Sequence, residues 1–169
     1  RRSGSLSDVA PPFFRYYSDN MTWPGTLVLA ADMLYRQNGD VEVIRKNYPA
    51  MKKWLLYMKD RYMDDDFILT KDSYGDWCQP PKNIEDERGK SADVKRPSAL
   101  ISTAYFYHFM KLMEQFAELT GYTSDIHLYQ SLAEQVYHGF NKRFLNDEQT
   151  FYGDGGLTEQ LLSLYFKLV

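Results

Sequence analysis

The sequence predicts an all-α chain of antiparallel helical hairpins, and three observations carry that prediction. Apolar residues recur at alternating spacings of three and four along five stretches. Short turn signals, Asn38-Gly39-Asp40 and residues 121–124, join the first four stretches into two pairs of antiparallel neighbours. A long polar loop then separates one pair from the next. The 169 residues are 44% hydrophobic and 25% charged, which suits a packed core and excludes wholesale disorder.

The first helix is expected near residues 23–38, with Thr22 or Trp23 as its cap and Pro24 in its first turn, where no amide donor is needed. Leu27, Ala30, Ala31 and Leu34 form its stripe, and Asn38-Gly39 supplies a left-handed stop. Asp40 caps the second, near 40–62, with Glu42 in the first turn favoured by the helix dipole. Its stripe is Val41, Ile44, Tyr48, Met51, Leu55, Met58 and Tyr62, on a helix about 34 Å long. Pro49 lies inside it, and the stripe resumes in phase beyond, so a kink is expected rather than a break.

The third helix, near 97–120, is apolar on much of its circumference and must be surrounded by other elements. Thr123 or Ser124 caps a fourth, near 124–145, with Ile126, Tyr129, Ala133, Val136, Phe140 and Phe144 as its stripe. A fifth starts near Leu157 and is still helical in pattern at Val169. The loop over residues 63–96 is longer than a bundle needs, which marks it as a candidate functional segment. Within it, Phe67-Ile68-Leu69-Thr70 reads as a short strand. The hairpins beginning at Pro24 and Pro97 lie 73 residues apart, a repeat far larger than the roughly 34-residue tetratricopeptide unit and of the size found in double-layered helical barrels.

Composition excludes several functions. Twenty Lys and Arg against 23 Asp and Glu give a net charge of −3, without the basic face a nucleic-acid grip needs. No apolar run approaches the roughly 18–20 residues of a membrane span. The lone Cys78 forms no internal disulfide, and the compartment stays open. Metal is not expected, because His108, His127 and His138 show no His-Glu-x-x-His spacing and no cysteine pair accompanies them. Asp64-Asp65-Asp66 resembles the start of a calcium loop, but Leu69 and Gly75 stand where Gly and Glu are required, so it reads as a solvated acidic turn. Gly153-Asp154-Gly155-Gly156 lacks the lysine of a phosphate loop, and Asn20-Met21-Thr22 fits a glycosylation acceptor, a frequent chance match.

Two stretches remain. One runs from Ser7-Asp8-Val9-Ala10-Pro11-Pro12 to Ser18-Asp19-Asn20-Met21-Thr22-Trp23-Pro24-Gly25; the other is Ser73-Tyr74-Gly75-Asp76-Trp77-Cys78. Each sets a Trp and an Asp on a loop beside a helix start, at corresponding points of the two hairpins. The pair suits a sugar: an indole face packs on the C–H face of a pyranose while a carboxylate accepts from its hydroxyls. The plainer alternative makes Trp23 a helix-entry staple and Trp77 a buried loop anchor.

These stretches, with Leu34-Tyr35-Arg36-Gln37-Asn38-Gly39-Asp40, Tyr48-Pro49-Ala50-Met51-Lys52-Lys53-Trp54 and Ala104-Tyr105-Phe106-Tyr107, resemble in order the central part of bacterial α-L-rhamnosidases of glycoside hydrolase family 78. The resemblance runs from Asp8 to Val169. It implies that residues 1–169 are a fragment of a single (α/α)6 glycosidase catalytic domain, and a chain that opens without Met and stops within an apolar pattern agrees. It implies that Trp23 and Trp77 line the pocket of a terminal rhamnose, with Asp76 touching a sugar hydroxyl or supporting a residue that does. The implied reaction is hydrolysis with inversion by two carboxyl groups roughly 6.5–9.5 Å apart. Neither matches a residue here: the family's acid motif lies upstream of Asp8, Asp86-Glu87-Arg88-Gly89 lacks its following Trp and Gly-Asp, and the base belongs to a later hairpin. No cofactor is expected. The partners are a carbohydrate carrying terminal rhamnose and the remaining barrel segments, and a periplasmic or extracellular parent suits the family. Another six-hairpin glycosidase or a polysaccharide lyase fits the same hairpins. So does a helical-repeat interaction module, which predicts Trp23 and Trp77 buried.

Overall fold

The computed structural model of the chain describes residues 3–11, 17–76 and 99–169. Five α-helices follow in order: α1 (Thr26–Asn38), α2 (Val41–Tyr62), α3 (Ala99–Thr120), α4 (Ile126–Phe144) and α5 (Leu157–Tyr165). The architecture is the expected one of antiparallel hairpins, α1 with α2 and α3 with α4, followed by α5.

Local chemistry explains most boundaries. Gly39 takes the left-handed conformation (φ 69°) and returns its N–H to the Tyr35 carbonyl, closing α1. The Asp40 carboxylate then accepts from the Glu42 N–H at 2.9 Å and opens α2. One continuous helix runs through Pro49. Its inner face is Ile44, Tyr48, Met51, Leu55 and Met58, as the spacing predicts, together with Trp54. The third helix is buried on most of its turns, from Leu100 through Ala117, and packs against α1, α2, α4 and α5.

Four boundaries differ from expectation. Residues 22–25 form a turn rather than the first turn of α1, closed by Gly25 N–H to the Met21 carbonyl and Thr26 N–H to that of Trp23. Gly25 makes this turn possible: a Cβ there would meet the Met21 carbonyl at 2.4 Å and the Phe109 ring at 2.5 Å. At α4, neither Thr123 nor Ser124 is the cap: both lie in a 3-10 turn (Thr123–Asp125) whose last residue, Asp125, precedes the helix and points its side chain inward without a capping bond. It accepts from the Tyr48 hydroxyl (3.0 Å) and pairs with Lys52 (2.6 Å), joining α2 to α4. The final helix stops at Tyr165. Lys167 at φ 59° returns its N–H to Leu164 and Leu168 returns its own to Ser163, a left-handed stop that the apolar pattern conceals.

The fourth difference lies after α2. The expected strand over residues 67–70 is a single bridge between Met63 and Leu69, because Phe67 sits at φ 61° and interrupts extended backbone. The acidic run is not simply solvated either. The Asp64 carboxylate accepts from the N–H groups of Asp66 and Ile68, and Asp66 pairs with Lys142 (2.8 Å) and Arg143 (3.1 Å) of α4. Those cations hold the Asp66 carboxyl below the usual Asp range. Gly139 is the contact point: a Cβ there would stand 2.1 Å from the Asp66 carbonyl oxygen.

Leu55 is 1% exposed within this core. Leu55→Ala is therefore expected to cost about 2–5 kcal/mol in a denaturant melt, whereas a loss below about 1 kcal/mol would place α2 outside the packed interior.

Candidate functional site

The loops that precede α1 and α3 meet, although 53 to 66 residues separate the partners in sequence. Asn20 is wholly buried between them. Its amide nitrogen donates to the hydroxyls of Ser18 (2.7 Å) and Ser73 (2.8 Å), and its carbonyl accepts from the Ser73 N–H (2.7 Å). Such burial removes Asn20 from the glycosylation acceptors of the folded chain.

One residue away, Asp19 occupies the left-handed region at φ 54°, where Asp is among the better-tolerated side chains. Its carboxylate accepts from the hydroxyls of Ser5 (2.6 Å), Tyr62 (2.7 Å) and Tyr57 (2.9 Å). Burial alone would raise its pKa. The three hydroxyl donors, aided by the Arg61 charge, outweigh burial and hold the carboxyl below the usual Asp range. Conversely, burial and the Asp19 charge push the Tyr62 phenol up to about 12. The Arg61 guanidinium lies over both tyrosine rings, at 6.0 Å from Tyr57 and 5.7 Å from Tyr62.

Trp23 projects from the turn before α1 and is 44% exposed, large for an indole flanked by buried Met21 and Pro24. Its ring rests on Tyr74 with centroids 5.3 Å apart and a tilt of 32°. The Tyr74 hydroxyl donates to Asp8 at 2.7 Å, and the other Asp8 oxygen accepts from the Ser18 N–H at 3.3 Å. Together with Pro24 and Leu27, Trp23 and Asp8 border a groove of about 560 Å³, within the range of small-molecule sites. Asp76, further along the second loop, is half-buried and accepts from the Thr158 hydroxyl in the first turn of α5. That turn is itself fixed by Glu159, whose carboxylate accepts from the N–H groups of Asp154 (3.0 Å) and Gly156 (2.9 Å).

Of the three residues singled out by sequence, the structure therefore places Trp23 and Asp76; Trp77 lies outside the described residues. Tyr74 and Asp8 belonged to the quoted stretches, but their mutual bond had no sequence signal. Among the described residues no group of three or more His, Cys, Asp or Glu could hold a metal ion, and no helix is long and apolar enough to cross a membrane.

The chain is an all-α succession of antiparallel hairpins whose loops gather an exposed indole and engaged carboxylates at the helix starts, and its fold matches that of six-hairpin glycosidase domains. The family described as the bacterial alpha-L-rhamnosidase 6 hairpin glycosidase domain matches residues 1–169, and the chain belongs to it. Among curated relatives, an alpha-L-rhamnosidase of Formosa agariphila is 27% identical over 167 residues, covering 99% of this chain and 17% of the relative. One from Alteromonas sp. is 26% identical over 160 residues, covering 94% and 17%. The solved alpha-L-rhamnosidase from Dictyoglumus thermophilum superposes with a TM-score of 0.81 at 32% identity, over all of this chain and 18% of that one. The Streptomyces avermitilis alpha-L-rhamnosidase, solved in complex with L-rhamnose, shares the fold at the same TM-score and 24% identity, over all of this chain and 15% of that one. The chain thus spans about a sixth of the length of these proteins.

Because Asp19 is held low, it stabilises the folded state above the unfolded Asp value of about 3.9, and that contribution is lost as pH falls through the folded value. Below about pH 4 the melting temperature should fall more steeply in the wild type than in Asp19→Asn, and parallel acid limbs would contradict the assignment.

Proposed function

We propose that residues 1–169 form the central portion of an (α/α)6 catalytic domain in an inverting glycoside hydrolase that releases terminal α-L-rhamnose. The carrying observation is Trp23, an indole left 44% exposed on a loop junction whose other members are tied down. Family membership supports the substrate class, and the relative solved with L-rhamnose agrees with it.

In this reading the Trp23 indole packs on the C–H face of the rhamnose, and Trp77 supplies a second wall. Asp76 acts from behind, its carboxylate engaged by Thr158, and helps to keep the second loop in place. The chain contributes pocket walls and not the acid–base pair. In support, the two carboxylates described on the first loop already serve as acceptors for donors of the chain: Asp8 for Tyr74 and Ser18, Asp19 for Ser5, Tyr57 and Tyr62. A general acid must be protonated near the working pH, and Asp19 is shifted the other way. Remaining barrel segments cover the outer side of α5, where Leu157, Leu161, Leu164 and Tyr165 are all more than half exposed. An interaction module with buried tryptophans is disfavoured by the exposure of Trp23.

Two measurements test this reading. In the complete enzyme, Trp23→Ala should raise KM for 4-nitrophenyl α-L-rhamnopyranoside about three- to tenfold, matching the loss of one aromatic wall; an unchanged KM would remove Trp23 from the pocket. The 169-residue chain alone should show no turnover of the same glycoside above buffer, and measurable hydrolysis would sink the assignment of the acid and base to other segments.

A further inference from the structure

We propose that Tyr74 and Asp8 are positioning residues for the Trp23 indole, so that the orientation of the sugar-facing wall is set, through Tyr74, by the Asp8 carboxylate. This deepens the proposed function and rests on the reading of Trp23 as a pocket wall. An exposed tryptophan on a turn has rotamer freedom, and a ligand that stacks on it must first fix the ring. Here the ring has a backing. Tyr74 lies against it at 5.3 Å between centroids, while Trp23 stays 44% exposed and borders the groove.

Tyr74 is in turn held at its far end. Its hydroxyl donates to the Asp8 carboxylate at 2.7 Å, a charge-assisted bond of the stronger class. Asp8 is only 8% exposed and is anchored a second time by the Ser18 N–H. Ser18 also meets the buried Asn20 amide at 2.7 Å, and Asn20 holds the Ser73 N–H next to Tyr74. The loops therefore close on themselves through Asp8, Tyr74, Ser73, Asn20 and Ser18, with Trp23 resting on the closed ring. Removing the Tyr74 hydroxyl takes away the Asp8 hold on the ring that backs Trp23, while the backbone bonds of the junction survive.

A double-mutant cycle in the complete enzyme tests this, with 4-nitrophenyl α-L-rhamnopyranoside and free L-rhamnose as probes. Tyr74→Phe should raise KM and the rhamnose Kd about three- to tenfold, with a smaller change in kcat. In the Trp23→Ala background the same change should have no further effect, because the wall it orients is gone. Asp8→Ala should reproduce the effect, and Asp8→Asn, which keeps an acceptor for the hydroxyl, should recover part of it; this pair carries the test if Tyr74→Phe fails to fold. An effect that persists in full without Trp23 would make Tyr74 a direct sugar contact and overturn the proposal. If Trp23→Ala raises KM and neither Tyr74→Phe nor Asp8→Ala does, the positioning role alone falls. If Trp23→Ala changes nothing, the pocket reading falls and takes this inference with it.

Discussion

A helix that is apolar around most of its circumference is stable only when enclosed, and α3 imposes that condition on everything around it. Phe106, Phe109, Met113 and Phe116 are wholly buried, and even its polar positions are used inward. Thr103 accepts from the Leu69 N–H at 3.0 Å, and Ser102 donates to the Lys71 carbonyl at 2.8 Å. Those two bonds bring the chain leaving α2 down onto α3. The same segment then continues to Ser73 and Tyr74, so the enclosure of one helix also fixes where the second loop of the candidate site must pass. Fold and site share a cause here.

The polar junction above α3 follows a different physics. Asn20 and Asp8 are buried polar groups, which are costly unless every donor and acceptor finds a partner. Both are bonded, and their partners come from both loops. A network of this kind is cooperative: loosening one member leaves another unpaired in a poorly solvated place. It therefore gives a rigid seat to residues at its edge that are themselves exposed. Trp23 is such a residue, apolar, accessible and resting on a support that is fully satisfied elsewhere.

Helices were legible in the sequence because each carries a periodic stripe of Leu, Met, Phe or Tyr together with end signals such as Gly39 and Asp40. Most of the misreadings share a reason, a contact distant in sequence, whereas α5 ends on a local left-handed turn at Lys167 that its apolar pattern does not reveal. Pro24 looks like a first-turn proline, but Gly25 must approach Phe109, and that sets the start of α1 at Thr26. Asp125 could have capped α4, but Tyr48 and Lys52 of α2 turn it inward. The acidic run after α2 looked like surface charge because nothing local reveals Lys142 and Arg143, some 76 residues away. In the candidate site, residue types were legible and pairing was not. Asp8 and Tyr74 stood in the stretches that drew attention, yet a bond across 66 residues leaves no periodic trace.

The burial of Asn20 bears on how this protein can be made. Asn20-Met21-Thr22 is a valid acceptor sequence for an oligosaccharyltransferase, and that enzyme acts on nascent, unfolded chains. In a eukaryotic secretory host the acceptor amide is offered before the fold hides it. A glycan attached there would occupy the nitrogen that must reach Ser18 and Ser73, and its bulk has no room at a site with no solvent exposure. Bacterial hosts without that transferase leave the amide free for its structural use, and in a glycosylating host Thr22→Ala would destroy the acceptor while preserving Asn20.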